Sequence, residues 1–428
     1  MSSLLTPKQA IFRASLQITI IAALFALTLP ANAQNFTVVH SFTGGGDGSL
    51  PNSLTIDRHG NFYGTTESGG PYGDGSVFKM AHHNSAWILV PLYGFPGIND
   101  GFIPMGVVVG PDGSLYGTTY EGGDGSPHNA GVVFRLTPPP NACAGVACPW
   151  TETVLHAFGG SNLDGANPTN GNLVFDGAGN LYGTTSAGAG GNDCGELGCG
   201  TVFEISPSNG GWITETIYPF ANGTDNAPIA GVIFDSAGNL YGTASNGGTT
   251  GAGAIYQLTL ANGSWSHNIL HNLSGSTDGG EPFAGLLLDS AGNFYGATTQ
   301  AGPVSGGTVF ELSPSGESWN FGLIHSFVGG QHHGGPEANL TMDAAGNLYG
   351  ATAYDGPLGC GNVFKLAPSN GSWVYTSLHD FTCGADGEAG SSRVVIDAAG
   401  NLYGTAAYGG VVNQACPQGC GVVWEITP

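Results

Sequence analysis

The sequence predicts an all-β fold, a seven-bladed β-propeller with four antiparallel strands per blade that is closed by the N-terminal strand. Three observations support this prediction. A repeat fills the chain seven times, each repeat contains four strand-like runs, and the two chain ends supply complementary parts of one repeat. Short strands at regular spacing, separated by glycine-rich turns, are typical of propellers.

The repeat is marked by the string G-N/S-L/F-Y-G, which is followed by small residues and threonines. A period near 54 residues with four strand-like runs is typical of one propeller blade. Two longer intervals contain insertions with cysteines. The tyrosine of this string recurs at Tyr63, Tyr116, Tyr182, Tyr241, Tyr295, Tyr349 and Tyr403.

The third repeat shows the four strands clearly. We predict strand a over Asn172–Asp176, strand b over Asn180–Thr185, strand c over Gly200–Ile205 and strand d over Trp212–Phe220. Each run is rich in β-branched and aromatic residues and is bounded by Gly, Asn, Asp or Pro. The string Asp-x-x-Gly between strands a and b favours a type I turn followed by a left-handed glycine, so we interpret its aspartates as turn formers.

The two chain ends complete one another. Phe36–Phe42 (FTVVHSF) has the pattern of strand d, whereas the chain ends at Val422–Ile426 (VVWEI), which has the pattern of strand c. The last repeat therefore lacks strand d, and the N-terminus provides one. This pairing would close the ring and leave no long sheet edge open.

The first 33 residues have the features of a secretory signal peptide. Lys8 and Arg13 precede an apolar run, Leu16–Leu29, and Ala31-Asn32-Ala33 provides a small-x-small cleavage site. We therefore predict a signal peptide over 1–33 and a single propeller domain over 34–428. The mature protein would be secreted, to the periplasm or beyond, with no membrane span and as a monomer.

Export favours disulfides among the eight cysteines, and a metal site is the alternative. Three pairs each lie within one loop, and the remaining pair flanks two strands of one repeat. The predicted disulfides are Cys143–Cys148, Cys194–Cys199, Cys360–Cys383 and Cys416–Cys420.

The charge of the chain excludes one class of partner. Its formal net charge is −23, with only seven Lys and Arg residues. Such an acidic surface repels nucleic acid and anionic membranes.

Loop variation predicts which face carries a site. The a–b turns are short and alike, whereas the loops between strands b and c differ in every repeat. Variable loops on a constant scaffold commonly carry function. We therefore expect a site on the face of the d–a and b–c loops, where Tyr120, Tyr354 and Tyr408 could stack on sugar rings.

The d–a loops repeat an Asp-Gly pair. These aspartates are either turn formers or a ring of carboxylates that binds a cationic ligand or Ca²⁺, which requires several oxygen ligands at one point. They are Asp47, Asp100, Asp164, Asp278 and Asp386.

One d–a loop departs from this pattern. His332 and His333 stand where the other loops have Asp-Gly, which makes them the candidates for metal binding or proton transfer. The histidines near the end of strand d alternate with tyrosine between repeats. We interpret that position as structural.

The strings NLYGTTSAG (180–188), GTVFEISP (200–207) and GNLYGTA (400–406) resemble the GloVer tandem-repeat proteins, exported bacterial proteins of undefined biochemical role. The resemblance covers nearly all of residues 36–428. It implies a surface or secreted propeller-like domain and assigns no catalytic residues.

Together these observations favour an extracellular binding or interaction domain whose ligand is a glycan or a protein. The alternative is a polysaccharide-active enzyme, a lyase or hydrolase, that uses His and a divalent metal on the same face. No nucleophile or phosphate-binding motif accompanies the repeats.

Overall fold

The structure is a computed structural model that describes residues 34–84, 86–123, 129–139, 150–160, 164–169, 173–189, 194, 198–221, 225–328, 334–390 and 392–428. Seven four-stranded antiparallel sheets form a seven-bladed β-propeller, which confirms the predicted fold. Within these ranges, no helix is both long and apolar enough to cross a membrane.

We number the blades 1 to 7 and letter their strands a to d from the axis outwards. In blades 1 to 3 the strands are Ser49–Ile56, Phe62–Ser68, Ser76–His83 and Ala86–Gly94; Phe102–Val109, Leu115–Glu121, Val132–Thr137 and Thr151–Ala157; and Val174–Phe175, Leu181–Thr185, Thr201–Ser208 and Gly211–Pro219.

In blades 4 to 6 they are Ile233–Phe234, Leu240–Ala244, Ala254–Ala261 and Ser264–Asn272; Leu287–Leu288, Phe294–Thr298, Ser305–Ser315 and Ser318–Val328; and Thr341–Met342, Leu348–Thr352, Asn362–Ser369 and Ser372–Asp380. Blade 7 consists of Val395–Ile396, Leu402–Ala406, Val422–Thr427 and Asn35–Ser41. Two short ladders, Gly165–Ala166 with Ala187–Gly188 and Asp225–Asn226 with Asn246–Gly247, lie outside these sheets.

Strand a of blade 3 is shorter than the sequence predicts. Among the described residues it pairs with strand b through Val174 and Phe175, whereas the prediction ran from Asn172, which lies outside the described residues, to Asp176. Asp176 belongs to the turn instead, because its backbone N–H and carbonyl close the a–b turn with Asn180 and Gly179.

The turn aspartates act as predicted. In blade 1, Asp57 Oδ1 accepts hydrogen bonds from the backbone N–H groups of His59 and Asn61, at 2.8 and 2.9 Å. Its Oδ2 accepts from the Tyr63 hydroxyl at 3.3 Å. Burial raises the pKa of Asp57, but these hydrogen bonds outweigh it and leave the pKa below its ordinary value.

The glycine after each marker tyrosine makes room for the strand c aromatic. Gly64 lies opposite Phe78 and Gly404 lies opposite Trp424 in the sheet register. A Cβ added at Gly64 would lie 2.4 Å from the Phe78 ring, and one at Gly404 would lie 2.3 Å from the Trp424 ring. The Tyr-Gly pair therefore follows from close packing inside each blade.

The core lies between neighbouring blades. Tyr349 and Val363 of blade 6, for example, pack in one cluster with Leu402 and the fully buried Trp424 of blade 7. Equivalent clusters occur at the other seams. Because each cluster needs both neighbours, the blades stabilise one another around the ring.

The N-terminal strand closes the ring as predicted. Asn35–Ser41 pairs antiparallel with Val422–Thr427, and Phe36 lies opposite Ile426. The closing blade therefore joins the first described strand to the last.

Three of the four predicted disulfides are confirmed. They are Cys194–Cys199, Cys360–Cys383 and Cys416–Cys420. Cys360–Cys383 ties the b–c loop of blade 6 to the d–a loop that follows the same blade. Cys143 and Cys148 lie outside the described residues, as does the predicted signal peptide.

Candidate functional site

A cavity of about 230 Å³ lies on the propeller axis, and all seven blades contribute to its wall. Most of its lining residues belong to strand a or to the segment leading into it. Those that carry polar side chains or large apolar ones include Asn52, Glu67, Met105, Thr169, Ile229, Phe283, Glu337, Asn339 and Arg393.

The cavity lies towards the face predicted to carry a site. Asn52 follows the d–a loop that enters blade 1, and Glu67 stands near the end of strand b, where the b–c loop begins. Both side chains line the cavity. The cavity therefore lies near the loops that vary between repeats.

Asn52 organises the blade 1 side of the cavity. Its Nδ2 donates to the backbone oxygen of Pro104 in blade 2, at 3.0 Å, and to Glu67 Oε1, at 3.3 Å. Its Oδ1 accepts from Thr65 Oγ1 at 2.6 Å. Burial raises the pKa of Glu67, and the Asn52 hydrogen bond only partly offsets that rise. Glu67 is thus a half-buried carboxyl held at a fixed place in the wall.

Hydrogen bonds between blades hold the other walls. Thr169 Oγ1 donates to the Ile229 backbone oxygen at 2.7 Å, and the Gly285 N–H donates to Asn339 Oδ1 at 2.6 Å. These bonds join blade 3 to blade 4 and blade 5 to blade 6. A wall fixed in this way keeps its polar groups in place before a ligand arrives.

Arg393 is the basic residue among the described residues of the cavity wall. Its Nε donates to Thr341 Oγ1 of blade 6 at 3.1 Å, and that hydroxyl donates to the Val394 backbone oxygen at 2.5 Å. Solvent reaches the guanidinium through the cavity, yet the surrounding protein desolvates it and lowers its pKa. An arginine remains protonated under these conditions.

A second chamber, also of about 230 Å³, lies on the other side of Arg393 and Asn339, both of which line it as well. Its remaining wall is apolar and comes from the inner strands of blades 4 to 6. The residues are Ile233, Phe234, Leu286, Leu287, Leu288 and Leu340. The wall of the second chamber is therefore more apolar than that of the first.

The structure brings two of the three predicted tyrosines together. Burial raises the pKa of Tyr354, and so do the nearby groups Glu337, Tyr408 and Glu388. Tyr408 and Glu388 exchange two backbone hydrogen bonds of 3.1 Å. Tyr354 and Tyr408 are half-buried neighbours on blades 6 and 7, whereas Tyr120 stands on blade 2, where its backbone oxygen accepts from Asn167.

The five predicted aspartates are distributed around the ring and do not converge. Each carboxylate lies 2.9 to 3.3 Å from the polar atom of the aromatic side chain near the end of the strand d that precedes it. The pairs are Asp47 with His40, Asp100 with Tyr93, Asp164 with His156, Asp278 with His271 and Asp386 with His379. This arrangement supports the turn-former interpretation.

The histidine candidates are divided between described and undescribed parts of the chain. His332 and His333 lie outside the described residues. Across the residues that the structure places, no group of three or more His, Cys, Asp or Glu side chains could hold a metal ion. His325, the strand d histidine before that loop, stacks on Tyr375 of blade 6 with ring centroids 4.3 Å apart.

Arg393 and its neighbours in the cavity were not predicted from the sequence. A signal was present, because the position four residues before the a–b turn is small or neutral in the other repeats. It holds Ser53, Gly106, Asn172, Gly231, Gly285 and Asn339. Arg393 is the exception, and comparison of that column across repeats would have identified it.

Three solved structures are similar to most of this chain at low sequence identity. A candidate 6-phosphogluconolactonase from Bacteroides uniformis is 14% identical, with 83% of this chain and 95% of that chain covered and a TM-score of 0.50. An ulvan lyase, described as a new family of polysaccharide lyase, is 12% identical, with 85% and 89% covered and a TM-score of 0.47. A protein of unknown function from Dyadobacter fermentans is 10% identical, with 92% and 98% covered and a TM-score of 0.46.

A comparison with curated proteins finds no match. The family model described as the Gloeobacter/Verrucomicrobia repeat matches residues 22–197 and 192–416, which is most of the chain. The marker tyrosines and the glycines that follow them lie within these matches. The chain belongs to the Gloeobacter/Verrucomicrobia repeat family.

Proposed function

We propose that this protein is an exported binding domain that holds the end group of a glycan in its axial cavity. The observation that carries the proposal is the ring of fixed amide, hydroxyl and carboxyl groups around a chamber of about 230 Å³. Ligand sites are typically concave, with a few well-placed polar groups among apolar ones. This chamber is smaller than the range usual for drug-sized ligands, so a single sugar ring fits it better than a protein segment.

The chemistry of the wall supports a hydroxylated ligand. Donors and acceptors line the wall on three blades, from Asn52 and Glu67 of blade 1, Thr169 of blade 3 and Asn339 of blade 6. Sugar hydroxyls need both kinds of partner. Tyr354 and Tyr408, near the cavity residue Glu337, provide half-buried rings against which further sugar units could pack.

Export is part of the proposal. The composition of residues 1–33 and the three disulfides both favour an oxidising compartment outside the cytoplasm. The polysaccharide-active enzyme remains the alternative, and its candidate residues His332 and His333 would have to supply turnover.

The test is a glycan-array screen of residues 34–428, followed by calorimetry on the glycans that bind, with and without EDTA. Ala338→Leu fills the cavity and should abolish binding. The matched control is Ala345→Leu, an exposed turn position of the same blade on the opposite face, which should bind like the wild type. A silent array, or full binding by Ala338→Leu, would refute the proposal, and product formation would favour the enzyme.

A further inference from the structure

The guanidinium of Arg393 lacks an anionic partner in the described part of the chain. Its Nε bond to Thr341 is the hydrogen bond that the structure gives it, and the ion pairs between described residues involve other cations. The surrounding protein desolvates the guanidinium and lowers its pKa, and no carboxylate of the described residues offsets this. The two terminal nitrogens are therefore available at the junction of the two chambers.

A cation in the wall of a narrow cavity, without a counter-ion, attracts an anion more strongly than one on an open surface, because the low-dielectric walls focus its field. This chain has seven Lys and Arg residues against 30 acidic ones, and it places one of these cations on its axis. A ligand that brings a negative charge would supply the missing compensation.

The neighbouring groups restrict what kind of anion fits. Glu67 and Glu337 also line the cavity and disfavour an anion with more than one charge. A carboxylate has a single charge, and its two oxygens match the planar fork of a guanidinium. The amide and hydroxyl groups of the same wall, and the two glutamates as acceptors, suit hydroxyls on the same molecule.

We infer that the axial cavity selects glycans whose end group is a uronic acid, with the carboxylate bound to Arg393 and the ring hydroxyls bound to the polar wall. This inference rests on the proposed function and narrows it from glycans in general to acidic ones. Thr341 is a positioning residue, because its hydroxyl fixes the Nε side of the guanidinium and leaves the opposite edge to the ligand.

The experiment compares two sugars that differ at one carbon, methyl glucuronide and methyl glucoside, by calorimetry on residues 34–428. A charge-assisted hydrogen-bond pair predicts at least tenfold tighter binding of the glucuronide. Arg393→Gln should bring the two affinities within about twofold, and Arg393→Lys should fall between, because it keeps the charge and loses the fork. The control Arg135→Gln removes an arginine that pairs with Asp112 outside the cavity and should leave the preference intact.

The outcomes separate the two proposals. Equal binding of both sugars by the wild type overturns the acidic preference and leaves the glycan proposal standing. Binding of neither sugar, together with a silent glycan array, overturns both. The melting temperature of Arg393→Gln provides a check without ligand, because removal of a charge that has no counter-ion should not lower the melting temperature. A large drop for Arg393→Gln alone would show that the protein itself uses the guanidinium, and this would also overturn the inference.

Discussion

Phe36 stacks on His379, with ring centroids 3.5 Å apart and ring planes 8° apart. Phe36 belongs to the N-terminal strand that completes blade 7, and His379 belongs to strand d of blade 6. The same stack occurs at other seams. There, the residue four positions before the histidine near the end of strand d lies against the histidine or tyrosine at the corresponding position of the preceding blade. The pairs are Phe321 on His271, Tyr375 on His325 and His267 on Tyr218, with centroids 4.3 to 4.5 Å apart.

Replacing Phe36 with Ala should destabilise the closing blade. The ring also contacts Phe381 and Trp424, so the substitution removes contacts to both blades at the seam. For a half-buried phenylalanine we expect a loss of about 2–3 kcal/mol in the free energy of unfolding, measured by urea denaturation. Thr37→Ala, at an exposed position of the same strand, is the control.

Removing residues 34–43 tests closure as a whole. Without this strand, the edge of Val422–Thr427 loses its ladder partner, so the melting temperature should fall sharply. An unchanged melting temperature, or equal losses for Phe36→Ala and Thr37→Ala, would contradict the role of the N-terminal strand.

The pair His267 and Asp225 gives a second prediction. His267 Nε2 lies 2.9 Å from Oδ2 of Asp225, a fully buried carboxyl on the loop before blade 4. His267→Ala should cost about 3 kcal/mol, because it leaves that carboxyl without its ring partner. His267→Phe keeps the stack on Tyr218 and loses the hydrogen bond, so comparing the two variants in urea separates stacking from pairing. Equal stability of His267→Phe and wild type would show that the pairing contributes nothing.

The glycine that follows each marker tyrosine should not tolerate a methyl group. A Cβ at Gly296 would lie 2.5 Å from the Phe310 ring, which is fully buried and cannot retreat. We expect Gly296→Ala to lower stability by about 1–3 kcal/mol through overpacking. Gly211→Ala, at a strand position with open space around it, should have little effect on the melting temperature. Equal melting temperatures for Gly296→Ala and Gly211→Ala would contradict the packing argument.

The architecture could be predicted because its causes are local and repeated. Asp176 and Gly179 show the a–b turn in four residues, and Tyr182 with Gly183 shows a strand that packs under an aromatic ring. The closing strand was predictable for the same reason, since Phe36–Phe42 has the pattern of six other outer strands. Each of these local patterns alone is weak evidence for a strand or a turn, but its recurrence in seven repeats makes the prediction of the fold strong.

The site could not be predicted in the same way because it departs from the repeat. Arg393 and Asn52 are more than 300 residues apart, and the cavity that both line exists only after seven blades close around an axis. For the loop aspartates the sequence left two interpretations, turn formers or a ring of carboxylates, and Asp278 pairs with the histidine of the strand d before it. Tyr354 and Tyr408 became candidates because they lie on loops that vary, and their role as ligand-binding residues stays a prediction.

Glu152 should make the stability of the protein depend on pH. It lies on strand d of blade 2, and burial, followed by the charge of Asp100, raises its pKa to about 7. Asp100 in turn accepts a hydrogen bond of 2.9 Å from Tyr93. One oxygen of Glu152, Oε1, is buried without a hydrogen-bond partner among the described residues. The folded state therefore favours the protonated form of this carboxyl.

The sign of the effect follows from proton linkage. Between the ordinary pKa of 4.5 and about 7, the folded chain binds more protons at Glu152 than the unfolded chain does. Stability from this group therefore decreases as the pH rises through that window and stays low above it. Glu152→Gln mimics the protonated form, so it should gain about 1–2 kcal/mol at pH 8, after allowance for partial exposure, and little at pH 4. The measurement is thermal unfolding at both pH values, with the exposed Glu215→Gln as control. An equal gain at pH 4 and pH 8 would contradict the prediction, because it would have to come from packing and not from the charge.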